Sequence, residues 1–363
     1  MSNRDACKVI NACLKDMGID VPSNVLEASK LKRQRQIWRR KVVEERRETV
    51  KQLECIGFDG RTDETKVCRG RVMSRNVREE HYTIISYLGK QYVNHVSPHS
   101  CKADDVAAQL VCVLQETASM QSLTAVVCDG TNLNTGERNG VIRRLELAVN
   151  RPLQWLICML HLNELPLRAV FKHLDGFPTG PHAFSGSIGR VLQEDITRRE
   201  IIKFKPVDGF TEQVPDDVCS DLSQDQKYLL RAALAVQKGY ADTTAADLTF
   251  LEKASPGILN HARWLTCANR TLRLYMSSEN PSQSLLHLVS YIVQVYAPCW
   301  FRIKRFPYCY HGARNFYYML QRTACYPDDA IRNVVYKPLQ RNAYFAHPEN
   351  VLIAALIDDD YSV

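Results

Sequence analysis

Between Leu53 and Asp175 short apolar runs alternate with stretches of helical periodicity, and that order constrains the fold more than any other feature of the chain. "LECIGF" leads into Asp59 and is followed by "GRTDET", whose Gly, Thr and Asp content reads as a polar turn. "YTIISYLG" (82–89) and "KQYVNHV" (90–96) lie on either side of Gly89 like the arms of a hairpin. Residues 103–116 place apolar side chains at helical spacing, and "LTAVVC" (123–128) is a continuous apolar run of the kind buried on both faces. Residues 139–149 read as helix, "LQWLICML" (153–160) as a further buried strand, and "LNELPLRAVFKHL" as helix. Strand, strand, strand, helix, strand, helix, strand, helix implies an α/β fold, a mixed sheet with helices on its faces.

Other textures flank this core. Lys30 to Arg47, "KLKRQRQIWRRKVVEERR", holds nine Lys and Arg against Glu44 and Glu45, with no Pro or Gly to interrupt a helix. Such a helix, with Arg39 and Arg40 at its centre, tracks phosphates or forms a solvated face. Residues 176–189 are rich in Gly, Pro and Ser and read as loop, and beyond them 225–238, 262–277, 283–297 and 313–323 read as helices. The chain thus parses into a basic helical segment (1–52), an α/β core (53–175), a mostly helical domain (176–340) and a returning C-terminal helix (341–363).

Hydrophobic residues at 45% and charged residues at 24% exclude a disordered chain. No apolar run approaches the ~18 residues of a membrane helix, so no membrane partner is expected. The 13 cysteines are scattered without a CxxC pair, which predicts reduced, mostly buried thiols in the cytosol or nucleus. A net charge of +7 is compatible with a polyanionic partner.

Asp59 in "IGFDG" and Asp129 in "VVCDGTNLNTG" stand where apolar strands end, each before a glycine. The functional crevice of an open α/β sheet lies beyond the carboxyl ends of its strands. If their strands are neighbours, the two carboxylates face one another and repel unless a cation sits between them. Hard oxygen donors favour Mg²⁺ or Mn²⁺, the ions of in-line phosphoryl transfer. The alternative is that Asp-Gly is a common turn dipeptide. Asn132, Asn134 and Thr135 are expected to hold the loop after Asp129, the alternative being that they reach phosphate.

Cys158 and His161 form a lone CxxH, read as structural because no second pair completes a zinc site. In "NHARWLTCANRTLRLY", Arg263, Arg270 and Arg273 fall on one side of a helix beside Trp264. That set suits phosphate contact and base stacking, or else a core tryptophan with surface arginines. Walker-type phosphate loops, GxGxxG and nucleophile elbows are absent from the sequence.

The succession Asp59, Asp129, "LICMLHLNEL" with its CxxH, and "ARW" at 262–264 resembles hAT-superfamily DNA transposases and host proteins derived from them. The resemblance covers roughly residues 53–360 and implies an RNase H-like core with a helical insertion domain. It implies two divalent ions, Mg²⁺ or Mn²⁺, held by Asp59, Asp129 and a closing glutamate, for which Glu349 in "AHPENVLIAAL" is the best match. It also implies a structural role for Cys158 and His161, and DNA contact by Arg263 and Trp264, the tryptophan lying beside a flipped base. The partner implied is DNA and the compartment the nucleus, with the cytoplasm the alternative. Such proteins usually act as multimers. Only fourteen residues follow Glu349, and neither the family's C-terminal dimerisation region nor an N-terminal zinc finger is matched, so a truncated or domesticated copy is expected. A catalytically inactive nucleic-acid-binding or protein-interaction module remains the alternative to an active enzyme.

Overall fold

The computed structural model describes residues 3–19, 27–69, 73–87, 91–180, 183–259, 264–307 and 311–357. The chain divides into two compact units, Met1–Trp155 and Leu156–Val363.

The first unit opens with helices α1 (Asn3–Asp16) and α2 (Ala28–Thr49), which pack on each other. Strands β1 (Cys55–Arg69), β2 (Met73–Ser86) and β3 (Gln91–Val96) follow, then α3 (Ala103–Glu116), β4 (Ala125–Cys128), the single turn α4 (Asn132–Thr135) and α5 (Val141–Val149). With β5 (Gln154–Ile157) they form a five-stranded mixed sheet in the order β3-β2-β1-β4-β5. β1 pairs antiparallel with β2 and parallel with β4, and β2 pairs antiparallel with β3. Four consecutive residues of β1, Cys55 to Phe58, are buried, as a strand covered on both faces must be. Helices α3 and α5 pack together, turning inward Val106, Leu110 and Val113 from one and Ile142, Leu145 and Val149 from the other.

The "GRTDET" stretch is not a turn. β1 runs through it to Arg69 and pairs with β2 without a break from Ile56↔Ser86 to Arg69↔Met73. Cross-strand partners explain the difference: Thr62 Oγ1 donates to the Glu80 carboxylate, and Thr65 Oγ1 bonds His81 Nε2 at 2.8 Å. The strand expected over 153–160 is also shorter. It ends at Ile157, and Met159 already begins α6 (Met159–Asp175).

The second unit is mostly helical. After α6, residues 176–189 hold a small hairpin, β6 (Pro178–Gly180) with β7 (Ala183–Phe184), where loop was expected. Asp175 accepts from the backbone N–H groups of Ile188 and Gly189, at 2.8 and 2.6 Å, and so caps α7 (Ser187–Gln193). The remaining long helices include α8 (Gln224–Lys238), α9 (Ala245–Lys253), α10 (Trp264–Met276), α11 (Gln283–Tyr291), α12 (Ala297–Arg305), α13 (Gly312–Ala324), α14 (Asp329–Arg341) and α15 (Pro348–Ile357).

A π-helical segment, Ile292–Tyr296, joins α11 to α12. The wider turn releases carbonyls that side chains then satisfy: Arg322 Nε donates to Gln294 O at 2.7 Å and Asn163 Nδ2 to Tyr296 O at 3.1 Å. The continuous helix Gln283–Arg305 is long and apolar enough to cross a membrane, but 72% of its most apolar window is buried within the protein, as in a core helix. Among the described cysteines, Cys7, Cys55, Cys128, Cys267 and Cys299 are buried, while Cys13, Cys101, Cys112, Cys158 and Cys325 are exposed, so burial is less general than expected.

Candidate metal site and nucleic-acid interface

β1 and β4 are adjacent and parallel, with Cys55↔Ala125, Ile56↔Val126 and Gly57↔Val127 as register partners. Asp59 and Asp129 each lie two residues beyond the last of these pairs. Continuing the parallel register would set these two positions level. β4 itself ends at Cys128, so Asp129 is already in the loop that follows it. Asp59 is not at a strand end as expected: pairing with β4 stops at Gly57, while pairing with β2 continues.

Asp129 is held firmly. Its Oδ1 accepts from Thr131 N at 3.1 Å, Thr131 Oγ1 at 2.7 Å and Asn134 Nδ2 at 2.6 Å. Among the described residues Oδ2 accepts no hydrogen bond, so the carboxylate is oriented with one oxygen open. Asn134 is 6% exposed, and its own Oδ1 is a buried acceptor with no partner among the described residues. The loop closes tightly at Gly140, whose N–H donates to Gly136 O at 2.8 Å; a Cβ there would sit 2.5 Å from the Gly136 nitrogen. Asn134 thus does what the sequence suggested. Thr131 was missed, although Asp-Gly-Thr is the pattern of an aspartate bonding its own backbone two residues on.

Asp59 is exposed. Beside it Gly60 faces Tyr82 across the β1–β2 pair, and a Cβ on Gly60 would lie 2.7 Å from the Tyr82 ring. Burial pushes the Tyr82 phenol up to about 12, and the negative charge of Glu80, Cys101, Asp129 and Asp59 adds to the shift. Tyr82 therefore lies within electrostatic reach of both aspartates. Desolvation, followed by the charge of the Glu80 carboxylate, raises the pKa of the Cys101 thiol. Nothing in the local sequence around 80–82 or 101 signals this grouping.

Two carboxylates, one of them with an open oxygen, suit Mg²⁺ or Mn²⁺ in donor chemistry. Among the described residues no group of three or more His, Cys, Asp or Glu side chains is placed to hold a metal ion. Glu349 lies in the first turn of α15, in the other unit, and its side chain is outside the described residues. Cys158 takes the N-cap position of α6, its carbonyl accepting from Leu162 N at 3.2 Å, and His161 is half-buried in the first turn.

The tryptophan and arginines of α10 depart from the surface role. Trp264 is 2% exposed and sits edge-on to Phe171 and Phe184, with ring centroids 5.6 and 6.3 Å away, so its faces are covered by core rather than open to a base. Arg270 is buried, its guanidinium donating to the carbonyls of Leu192 at 2.7 Å, Gly257 at 2.9 Å and Glu194. Arg273, 2% exposed, donates to Leu251 O at 2.8 Å and Arg199 O at 2.6 Å. Every residue of α10 is buried, so arginines on it satisfy loop carbonyls instead of phosphates. Arg263 lies outside the described residues.

The basic helix α2 is open to solvent. Lys30, Lys32, Arg33, Arg40 and Lys41 are exposed, and Trp38 is 62% exposed among them. The Arg39 side chain is outside the described residues. Exposed cations with an exposed indole can meet phosphates and stack on a base or ribose. Comparison of the chain with known protein families, with curated proteins and with solved structures finds no match.

Proposed function

We propose that the protein is a transposase-derived DNA-binding protein with an RNase H-like core, in which Asp59 and Asp129 form a divalent-metal site for DNA strand cleavage or transfer. The observation that carries this reading is that β1, which contains Asp59, and β4, which leads directly into Asp129, are adjacent parallel strands in a β3-β2-β1-β4-β5 sheet. The sheet order and the antiparallel β2 support it. Mg²⁺ or Mn²⁺ held there would supply a lowered pKa for an attacking water or 3′-hydroxyl and charge for the leaving oxygen. The chain's own part is to fix the ligands: Thr131 and Asn134 take one oxygen of Asp129 and leave the other to the site. Glu349 is the proposed third carboxylate. Helix α2, with Arg40 and its neighbours, supplies phosphate contacts, and the nucleus is the compartment that fits a DNA partner.

The absence of a three-carboxylate cluster among the described residues favours a second reading, a DNA-binding module that no longer cuts. Cleavage of a labelled hairpin or nicked duplex with Mn²⁺, compared between wild type and Asp129→Asn, separates the two. Metal-dependent cleavage lost in the variant supports the enzyme. Intact DNA binding without cleavage in either protein supports the module, and loss of binding by both rejects the DNA reading.

A further inference from the structure

Beyond the sheet, β1 and β2 continue as a two-stranded ribbon. β4 pairs with β1 only at Cys55–Gly57, and β3 pairs with β2 only at Tyr82–Ser86. Among the described residues, 61–69 and 73–81 therefore have no third strand, an arm of nine residues each way and about 30 Å. A lone two-stranded hairpin is marginal in water. Here the root is fastened by His81, whose Nε2 bonds Thr65 Oγ1 and whose Nδ1 bonds Ser97 Oγ, both at 2.8 Å.

Charge is segregated along the arm. The root holds Asp63, Glu64, Glu79 and Glu80, with Arg61 paired to Asp63 at 2.9 Å. The outer part, 65–69 and 73–78, holds Lys66, Arg69, Arg75 and Arg78 and no acidic residue. Register pairs Lys66 with Asn76, Arg78 with Glu64, Arg69 with Met73 and Arg75 with Val67, so the cationic positions are distributed over both strands.

We propose that this ribbon is a second DNA-contacting element, separate from α2, that enters the major groove of duplex DNA. The inference rests on the DNA-binding reading above. A B-form major groove, about 12 Å wide, admits a two-stranded ribbon. Within it the four cationic positions of the outer part meet the phosphates along the groove, and the acidic root sets the depth of entry by repulsion. The deep, narrow major groove of duplex RNA does not admit it.

The test uses the full chain and a fluorescent duplex of about 30 base pairs, titrated between about 50 and 200 mM salt. Replacing Lys66, Arg69, Arg75 and Arg78 together by Ser is expected to lower the slope of log K against log salt by up to about 3.6, four contacts at ~0.9 each. The pair Arg69→Ser/Arg75→Ser, which removes two of the four cations, is expected to lower it by about 1.8 and serves if the fourfold variant does not fold. Both variants should keep the wild-type circular dichroism and elution volume. Duplex RNA of the same sequence should bind more weakly than DNA. If wild type binds DNA and the folded variants keep its affinity and slope, or if RNA binds as tightly, the ribbon proposal is overturned and the DNA reading stands. If wild type does not bind duplex DNA, both fall.

Discussion

Asp59 on β1 and Asp129 at the exit of β4 each lie two residues past the paired positions Gly57 and Val127, the level to which the parallel register would extend. The two strands reach that level differently. β1 passes straight through it, so Asp59 is fixed by strand geometry, whereas β4 has ended and Asp129 is fixed by the loop that follows. The two aspartates therefore differ in what disturbs them, and the loop is the vulnerable side.

Loosening the loop should cost both stability and metal affinity. Asn134→Ala removes the 2.6 Å bond to Asp129 Oδ1 and is expected to destabilise the first unit by about 1.5–3 kcal/mol, the range for a hydrogen bond to a charged group. Mn²⁺ affinity should fall about 10–100-fold, as when outer partners of a ligand are removed. Thr131→Val should act in the same direction, while Thr131→Ser keeps both donors and should restore wild-type binding. Urea unfolding followed by Mn²⁺ titration checks both effects; unchanged affinity in a folded Asn134→Ala would reject the positioning role.

Glu146 shows how α5 sets the start of β5. It is 8% exposed, pairs with Arg143 at 3.1 Å, and its Oε1 accepts from Leu153 N at 3.1 Å and Trp155 Nε1 at 3.0 Å. Glu146→Ala removes the acceptor of two donors, and at about 1–3 kcal/mol per group the loss should total about 2–6 kcal/mol. Glu146→Gln, which can still accept, should lose less. A denaturation midpoint unchanged in Glu146→Ala would contradict this account.

Trp264 separates a core role from a base-stacking role. Packed against Phe171 and Phe184, it should cost about 3–5 kcal/mol on truncation to Ala. Trp264→Phe should lose less and bind DNA as wild type does. A Trp264→Phe protein of wild-type stability with sharply weakened DNA binding would return the residue to the interface.

Tyr82 gives a pH signature. Its folded pKa, about 12, lies above the ordinary tyrosine value of 10 because burial and the surrounding negative groups favour the neutral phenol. The folded state thus holds this proton more tightly than the unfolded state. Its contribution to stability is complete below pH 10 and is lost as pH rises from 10 to 12. Tyr82→Phe should flatten the alkaline loss of stability in that window, read from denaturation midpoints across the range. An identical alkaline slope in both proteins would contradict it.

The two strands that carry and lead into the aspartates were legible because apolar runs ending in Asp-Gly mark buried strands and their exits, and their adjacency, posed as a condition, is met by the parallel β1–β4 pair. The length of β1 was not. Gly60 to Thr65 carry turn-forming residues, and what keeps them extended is the opposite strand, through Glu80 and His81, which no local window contains. The α10 arginines were misread for a related reason. An arginine that serves distant carbonyls, such as Arg270 on Leu192 O, has the same local sequence as one that faces phosphate. Cysteine burial was overestimated because residue preference is an average and says nothing of Cys101 beside Glu80.

The central claim is that Asp59 and Asp129 together hold a divalent cation, and titration of the full chain with Mn²⁺, reading the free ion by electron paramagnetic resonance, tests it most directly. The account predicts saturable binding by wild type, at least about ten-fold weaker binding in Asp59→Asn and in Asp129→Asn, and none at the same concentrations in the double variant. Binding unchanged by either substitution, in proteins that keep the wild-type circular dichroism, or no binding by wild type, would contradict it.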